Sequence, residues 1–409
     1  MLFNKKNIGI ICLCLMVGWG VRAEIVQPDT RKSGTYRRAH SLYRALTADV
    51  DSMAQRYANF KQKLAHDTGL SYSLDISILG QRAAPNGKGT PWQTQYYGSA
   101  NWDMFHSDIW GAGSAQIAYT AIRYWGTNAQ RVNNRIGVIS SFNDYTTNAN
   151  YFDQLSYTHQ LPGAWDGLSV TLGQFPIYTF DGTAYDSNQQ INFLNYALSQ
   201  NGSSVYPSAG LGGYATWTPN SAVSITAGFQ GASNISGDRI SAHSFGKGKY
   251  TGFGSLTWTP TWTSVGQSTI SFLYYYQPSV ADQPQASNGW SVNVQQNLGD
   301  KWAVFARLNG TDKSAQSVRQ SYVLGVVWNN PMNRNALDQI GVAGAVNKLN
   351  KAVNGTGTRS VENVLEAYWA FGVSNFMTLT PDIQFYINPG ADTRRHTATA
   401  ASVRATLVF

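Results

Sequence analysis

Thr-Ala-Thr-Ala-Ala-Ser-Val-Arg-Ala-Thr-Leu-Val-Phe, residues 397–409, carries a strand pattern to the final residue of the chain. Counted back from the end, Phe409, Leu407, Ala405, Val403 and Ala401 share one face, and Val408, Thr406, Arg404 and Ser402 share the other. A period of two with one apolar and one mostly polar face describes a half-buried strand. Alone, it reads equally well as the edge strand of a soluble sheet. Its recurrence along the chain changes the reading. Ser71 to Gln81 sets Tyr72, Leu74, Ile76 and Ile78 against Ser73, Asp75 and Ser77, and Ala222 to Ala232 sets Val223, Ile225 and Phe229 against Ser224, Thr226 and Gln230. Similar runs begin near Gly98, Ser114, Gln154, Leu168, Leu211, Lys249, Ser268, Gly289, Trp302, Arg319, Ala336, Glu362, Met377 and Thr397, which makes sixteen.

The connections between these runs alternate in length. Long segments cover 124–153, 177–210, 233–248, 278–288 and 348–361, and short ones cover 219–221, 299–300 and 374–376. An up-and-down barrel with short turns at one end and long loops at the other produces this rhythm. A soluble sandwich has no reason for it. Trp217, Trp258, Trp262, Trp302, Trp328 and Phe376 border the short turns, where a membrane boundary collects aromatics. Closure also removes the unpaired edge groups that an open sheet would leave in hydrocarbon.

Composition agrees. Charged residues are 13% of the chain, against roughly 25% in soluble domains, while Gly (39), Tyr (23) and Trp (13) are abundant. Lys5 and Lys6 precede an apolar run from Ile8 to Val21, and Val21-Arg22-Ala23 supplies small residues for cleavage, so Met1 to Ala23 reads as a secretory signal peptide. Cys12 and Cys14 both lie in it, leaving the exported chain without thiol chemistry. Without Lys5, Lys6 and Arg22, the 30 basic residues become 27 against 22 acidic ones, and no basic run suggests nucleic acid as a partner. After the signal no apolar stretch approaches the ~20 residues of a membrane helix.

The segment 24–70 is a different kind of sequence. Leu42, Leu46, Val50, Met53, Tyr57, Phe60 and Leu64 fall at intervals of three and four, which predicts a helix from Leu42 to Leu64 on the periplasmic side. Two readings stay open: a coiled coil joining protomers, or one amphipathic helix packed at the barrel mouth or against other proteins.

No catalytic pattern emerges. His40, His66, His106, His159, His243 and His396 lack metal-ligand spacing, and Gly87-Lys88-Gly89-Thr90 lacks the full phosphate-loop spacing. Asp153 and His159 share one strand, but their even separation puts His159 with Leu155 and Tyr157 on the lipid side. We therefore expect neither an enzyme nor a metal or cofactor site. Function falls to the inward face: Phe305, Arg307 and Asn309; Glu366 and Tyr368; Asp382, Gln384 and Tyr386; and Arg404. A phosphate pore would show rings of Arg and Lys, and a cation pore rings of Asp and Glu. Here the signs are mixed and interleaved with aromatics. That set suits a sugar, whose apolar C–H face can lie on a ring while charged groups bond its hydroxyl rim.

Pro381-Asp382-Ile383-Gln384-Phe385-Tyr386-Ile387-Asn388-Pro389-Gly390, preceded by Glu362-Asn363-Val364-Leu365-Glu366, closely resembles the penultimate hairpin of the carbohydrate-selective porins of the OprB type. Leu172-Gly173-Gln174-Phe175, followed by Phe180-Asp181 and Phe193-Leu194-Asn195, is similar to that family's strand before its long inward-folding third loop. The resemblance covers about 71–409 and implies a sixteen-stranded antiparallel transmembrane β-barrel of the outer membrane. It further implies a monomeric or trimeric channel for monosaccharides such as glucose, narrowed by loops. The family's Trp-Gly-Gly segment near the mature start is absent, and the Leu42 to Leu64 helix stands there instead. The expected partners are outer-membrane lipid, small sugars, further copies of the chain and, through the terminal Phe409, the barrel-assembly machinery. A polysaccharide exporter coupled through the helix, and a receptor or adhesin working through its outside loops, are the alternatives.

Overall fold

The computed structural model describes residues 52, 55–312 and 316–409. The signal peptide, both cysteines and the first part of the Leu42 to Leu64 helix lie outside the described residues.

From Leu70 onward the chain is a meander of strands. In order they are β1 (Leu70–Ala84), β2 (Trp92–Ser107), β3 (Gly111–Trp125), β4 (Ala149–Gln160), β5 (Leu168–Phe175), β6 (Gly210–Asn220), β7 (Val223–Gly231) and β8 (Tyr250–Trp258). There follow β9 (Thr261–Trp262), β10 (Gly266–Gln277), β11 (Ser287–Leu298), β12 (Trp302–Thr311), β13 (Val318–Asn329), β14 (Gln339–Leu349), β15 (Val361–Ser374), β16 (Met377–Ile387) and β17 (Thr397–Val408). The two-residue β9 is a small ribbon in the turn between β8 and β10, which pair directly, so sixteen long strands form the wall. All pairings are antiparallel, and β17 closes the circle on β1 in register from Asp75↔Val408 to Ala84↔Thr399. The closed sixteen-stranded barrel is the architecture expected from the sequence.

Polarity is inverted relative to a soluble fold. Leu324 is 63% exposed and Leu172 59%, both on the outer face, while Arg307 and Glu366 on the inner face are 0% exposed. An exterior of this kind requires hydrocarbon around it. Exposed Trp217, Trp258, Trp262 and Trp302 ring the short-turn end, with Trp302 stacked on Trp328 at 4.9 Å. Trp92, Trp125, Tyr274 and Tyr276 do the same at the long-loop end.

Two details depart from the sequence reading. β2 begins at Trp92 rather than near Gly98, because three polar residues in a row, Gln93, Thr94 and Gln95, hide its alternation in the sequence; Gln93 and Gln95 face inward, where they bond Asn143 and Gln189. The register of β3 against β4 slips between Ala118 and Thr120, which face Gln154 and Tyr151. The extra residue turns Asp153 inward, 5% exposed, although Leu155 remains on the lipid face. Parity counting placed Asp153 and His159 on one face, and a bulge defeats parity.

Residues 55–68 are helical and end against the short-turn rim. The Tyr57 ring meets Tyr72 of β1 at 6.3 Å and Phe409 at 6.0 Å, so one side chain touches both sides of the closing seam. Lys61 lies over Tyr72, and the Thr68 carbonyl accepts from the Trp102 indole. Phe60, a member of the predicted apolar face, is 55% exposed.

Candidate functional site

The site begins where β5 ends. Gly173 has φ +133°, and a Cβ there would stand 2.3 Å from the Leu155 carbonyl oxygen, so only glycine lets β5 lie this close to β4. Gln174 beside it is fully buried and donates to the Phe152 carbonyl. Past Pro176 the chain leaves the wall and crosses the interior as residues 176–209 before rejoining it at β6. Asn195 shapes its middle, its side chain accepting from Ala197 N at 3.0 Å and opening the short helix Tyr196–Ser199.

All nine residues selected from the sequence point into the barrel, and none is more than 5% exposed. All but Asp382 touch segment 176–209. The Arg404 guanidinium donates to the carbonyls of Gln189, Asn192 and Ile191, the last two at 2.9 and 2.8 Å. Its planar fork suits three carbonyls in one short stretch, a task that the point charge of a lysine would do poorly. The Glu366 carboxylate accepts from Leu194 N at 2.5 Å and Asn195 N at 2.9 Å. Arg307 pairs with Asp186 at 3.4 Å and donates to the Ala197 carbonyl at 3.1 Å, while Asn309 accepts from the Ser203 hydroxyl at 2.7 Å. The Phe193 ring stands edge-on to Tyr368 at 4.8 Å and 5.8 Å from Phe305. Gln384 and Tyr386 both meet the Asn195 amide, at 3.2 and 2.6 Å. Asp382 interacts with Glu366 and Arg404 beside it on the wall. Eight of the nine residues are therefore anchors of a loop as well as inner-wall groups, and Asp382 braces two of them from the wall.

A second set was missed in the sequence. Segment 126–148 also turns inward, carrying the helix Ala129–Ile136, which Asn128 caps at the start and Gly137, at φ +77°, ends. Glu362 holds the stretch just beyond this helix, accepting from Ile139 N at 2.9 Å and Ser140 N at 2.6 Å, and it also accepts from Gly390 N at 2.7 Å. A Cβ on Gly390 would lie 2.4 Å from Leu349 and 3.2 Å from the Glu362 carboxylate, and Asn388 has φ +59°, which explains the Asn-Pro-Gly of the quoted motif. Asn143 donates to Gln81 at 2.7 Å, and Tyr386 donates to the Ser140 carbonyl at 3.0 Å. Glu362 and Glu366 stand four apart in a strand, hence on one face. That was the legible signal; the two loops they would hold were not. Asp144, partly buried in this segment, has its carboxyl raised to about 7, because burial outweighs the opposing pull of Gln200 and Arg307.

The rest of the wall is less charged, with Asp75 of β1 and Asp153 of β4 its buried inward acids. Across β1 to β7 the inward groups bond one another as hydroxyls and amides: Ser73 to Ser99 at 2.9 Å, Gln116 to Asn101 at 3.2 Å, Ser156 to Gln116 at 3.0 Å, Thr158 to Thr171 at 2.9 Å and Thr216 to Thr226 at 2.9 Å. Among the described residues no group of three or more His, Cys, Asp or Glu could hold a metal ion.

A closed barrel with a lipid-facing exterior and a long connection folded through its interior is the build of a porin. Of the solved structures it resembles, the high-pH form of Pseudomonas putida OprB matches with a TM-score of 0.70 at 18% identity, covering 86% of this chain and 97% of that one. The low-pH form matches at 0.53 and 14% identity. Among curated relatives, Porin AaxA of Chlamydia abortus is 37% identical over 83% of this chain and 77% of its own length. Porin AaxA of Chlamydia pneumoniae is 36% identical over 86% and 82%. The sequence profile of the carbohydrate-selective porins, OprB family, matches residues 245–409. The chain belongs to this family of porins. It is a channel and not an enzyme, and the fold and relatives indicate an outer-membrane protein of a Gram-negative-type envelope.

Proposed function

We propose that this porin carries small sugars or similar polyols into the periplasm by facilitated diffusion. The belt of hydroxyls and amides across β1 to β7, broken by Asp75 and Asp153, supports the reading: such a wall can exchange hydrogen bonds with a polyhydroxylated solute at little net cost, because each bond lost is replaced by another. The anchored residues act at one remove, holding segments 126–148 and 176–209 in the lumen as its constriction. The family profile, described as carbohydrate-selective, points the same way.

One observation favours a second solute class. Asp75, Asp153, Asp181, Asp186, Glu366 and Asp382 are buried on the inner side, against Arg307 and Arg404, and a lumen with this surplus attracts small cations. One experiment separates the two. Protein in planar bilayers should conduct salt, and millimolar glucose should block part of the current. A silent bilayer removes the channel reading. Conduction that glucose leaves untouched, with a strongly cation-selective reversal potential, replaces sugars by cationic solutes.

A further inference from the structure

The basic residues, dispersed in the sequence, gather in space at the long-loop end over the closing seam. Connections 85–91, 126–148 and 388–396 meet there: Arg395 donates to the Pro85 carbonyl at 3.0 Å, Arg135 to the Lys88 carbonyl, and Ala391 N to the Gly137 carbonyl at 2.9 Å. Arg82, Lys88, Arg131, Arg135, Arg394 and Arg395 stand around this junction. Among the described residues, Asp392 is the acid ion-paired within this cluster, to Arg394 at 3.4 Å and Arg395 at 2.9 Å. The side chains of Arg82, Lys88 and Arg131 have no hydrogen-bond or ion-pair partner among the described residues.

Arg82 fixes the height of this cluster. It lies on the outer face of β1, two residues beyond Gly80, which packs beneath the ring of the exposed Trp92. Two strand residues span about 7 Å, so the guanidinium stands just beyond the aromatic girdle, at the level of lipid headgroups. Arg123 of β3 reaches the same rim, but its guanidinium is committed to the Ala149 carbonyl at 3.0 Å and Asn150 at 2.7 Å. A cation on the lipid face beside tryptophans, with further cations above and Asp392 already paired, is complementary to phosphate carried by a lipid.

We propose that the outer rim over β17, β1, β2 and β3 is a binding site for a phosphorylated glycolipid of the outer leaflet, with Arg82 and Lys88 on its phosphate groups and Trp92 and Trp125 against its acyl and sugar portions. The site rests on the outer-membrane location and is independent of which solute crosses the lumen.

The test uses the full-length protein purified in detergent, with diphosphoryl lipid A as the probe and retention read by native mass spectrometry. Wild type should retain the lipid, and Arg82→Gln/Lys88→Gln/Arg394→Gln should lower its apparent affinity about tenfold or more. Lys301→Gln, at the short-turn end, should leave it unchanged. Unaltered heat-modified mobility in gels shows that each variant is folded, and single Arg82→Gln, expected to lose a smaller share, carries the test if the triple variant does not fold. Equal retention of dephosphorylated lipid A overturns the proposal, as does equal retention by the folded variants. Displacement of the lipid by millimolar inorganic phosphate would assign the site to a soluble anion and overturn it too.

Discussion

At the scale of single residues, the interior is governed by what each polar group finds when the wall and the loops meet. Asp144 shows this. Its sequence neighbours say nothing of its environment, yet Gln200, 56 positions away, donates to its carboxylate at 3.2 Å, and burial raises its pKa to about 7. A carboxyl with a raised pKa is neutral below that value and negative above it. Cation preference should therefore grow as pH rises from about 6 to about 8, and Asp144→Asn should flatten that change in reversal potential while leaving the acid-side value near wild type. Glycines are equally local in effect. Gly173 and Gly390 were readable as parts of motifs, but the reasons, a Leu155 carbonyl and a Leu349 methyl in the place of a Cβ, belong to partners distant in sequence.

At the scale of elements, strands were legible and loops were not. Alternation reports which face of a strand meets lipid, so inward placement of residues such as Arg307, Glu366 and Arg404 followed from parity alone. What those residues touch did not follow, because segment 176–209 has no periodicity and its path is set by contacts spread around the wall. Mixed charge looked like a solute-binding surface; the same charges also serve as donors and acceptors to loop backbone. Arg404→Ala would leave three buried carbonyls without their donor, at roughly 1–3 kcal/mol for each acceptor left unsatisfied. The barrel hydrogen bonds do not use this side chain. We expect insertion to survive, the heat-modification temperature to fall, and single-channel current to become larger and noisier as the segment loosens. An unchanged trace and temperature would show that Arg404 does not hold the constriction. The bulge at Asp153 marks the limit of parity within a strand, since one inserted residue reverses the assignment on one side of it.

At the scale of the whole molecule, the surroundings decide the fold's polarity. Leu324, exposed on mid-β13, would tolerate a charge if water lay outside. In hydrocarbon an arginine near the midplane costs roughly 2–4 kcal/mol, so Leu324→Arg should sharply reduce the folded, heat-modifiable fraction in vesicles, whereas Arg82 stays without penalty at the rim. Equal folding of Leu324→Arg would contradict the membrane-spanning assignment of β13. Strand number, closure and the side on which loops gather were all readable from the rhythm of long and short connections, because that rhythm is a property of the whole chain. The collection of cations over the seam was not, since it joins two connections near the start of the barrel to a third close to the end of the chain. The seam itself has a further consequence. Phe409 N and O bond Leu74 at 3.0 and 3.1 Å, as any two neighbouring strands would, so the finished sheet bears no mark of where its polypeptide begins. A circularly permuted chain, joined across this point and opened at a long loop, would have the same hydrogen bonds to satisfy. The order in which strands arrive is thus information held by synthesis and insertion and absent from the final circle.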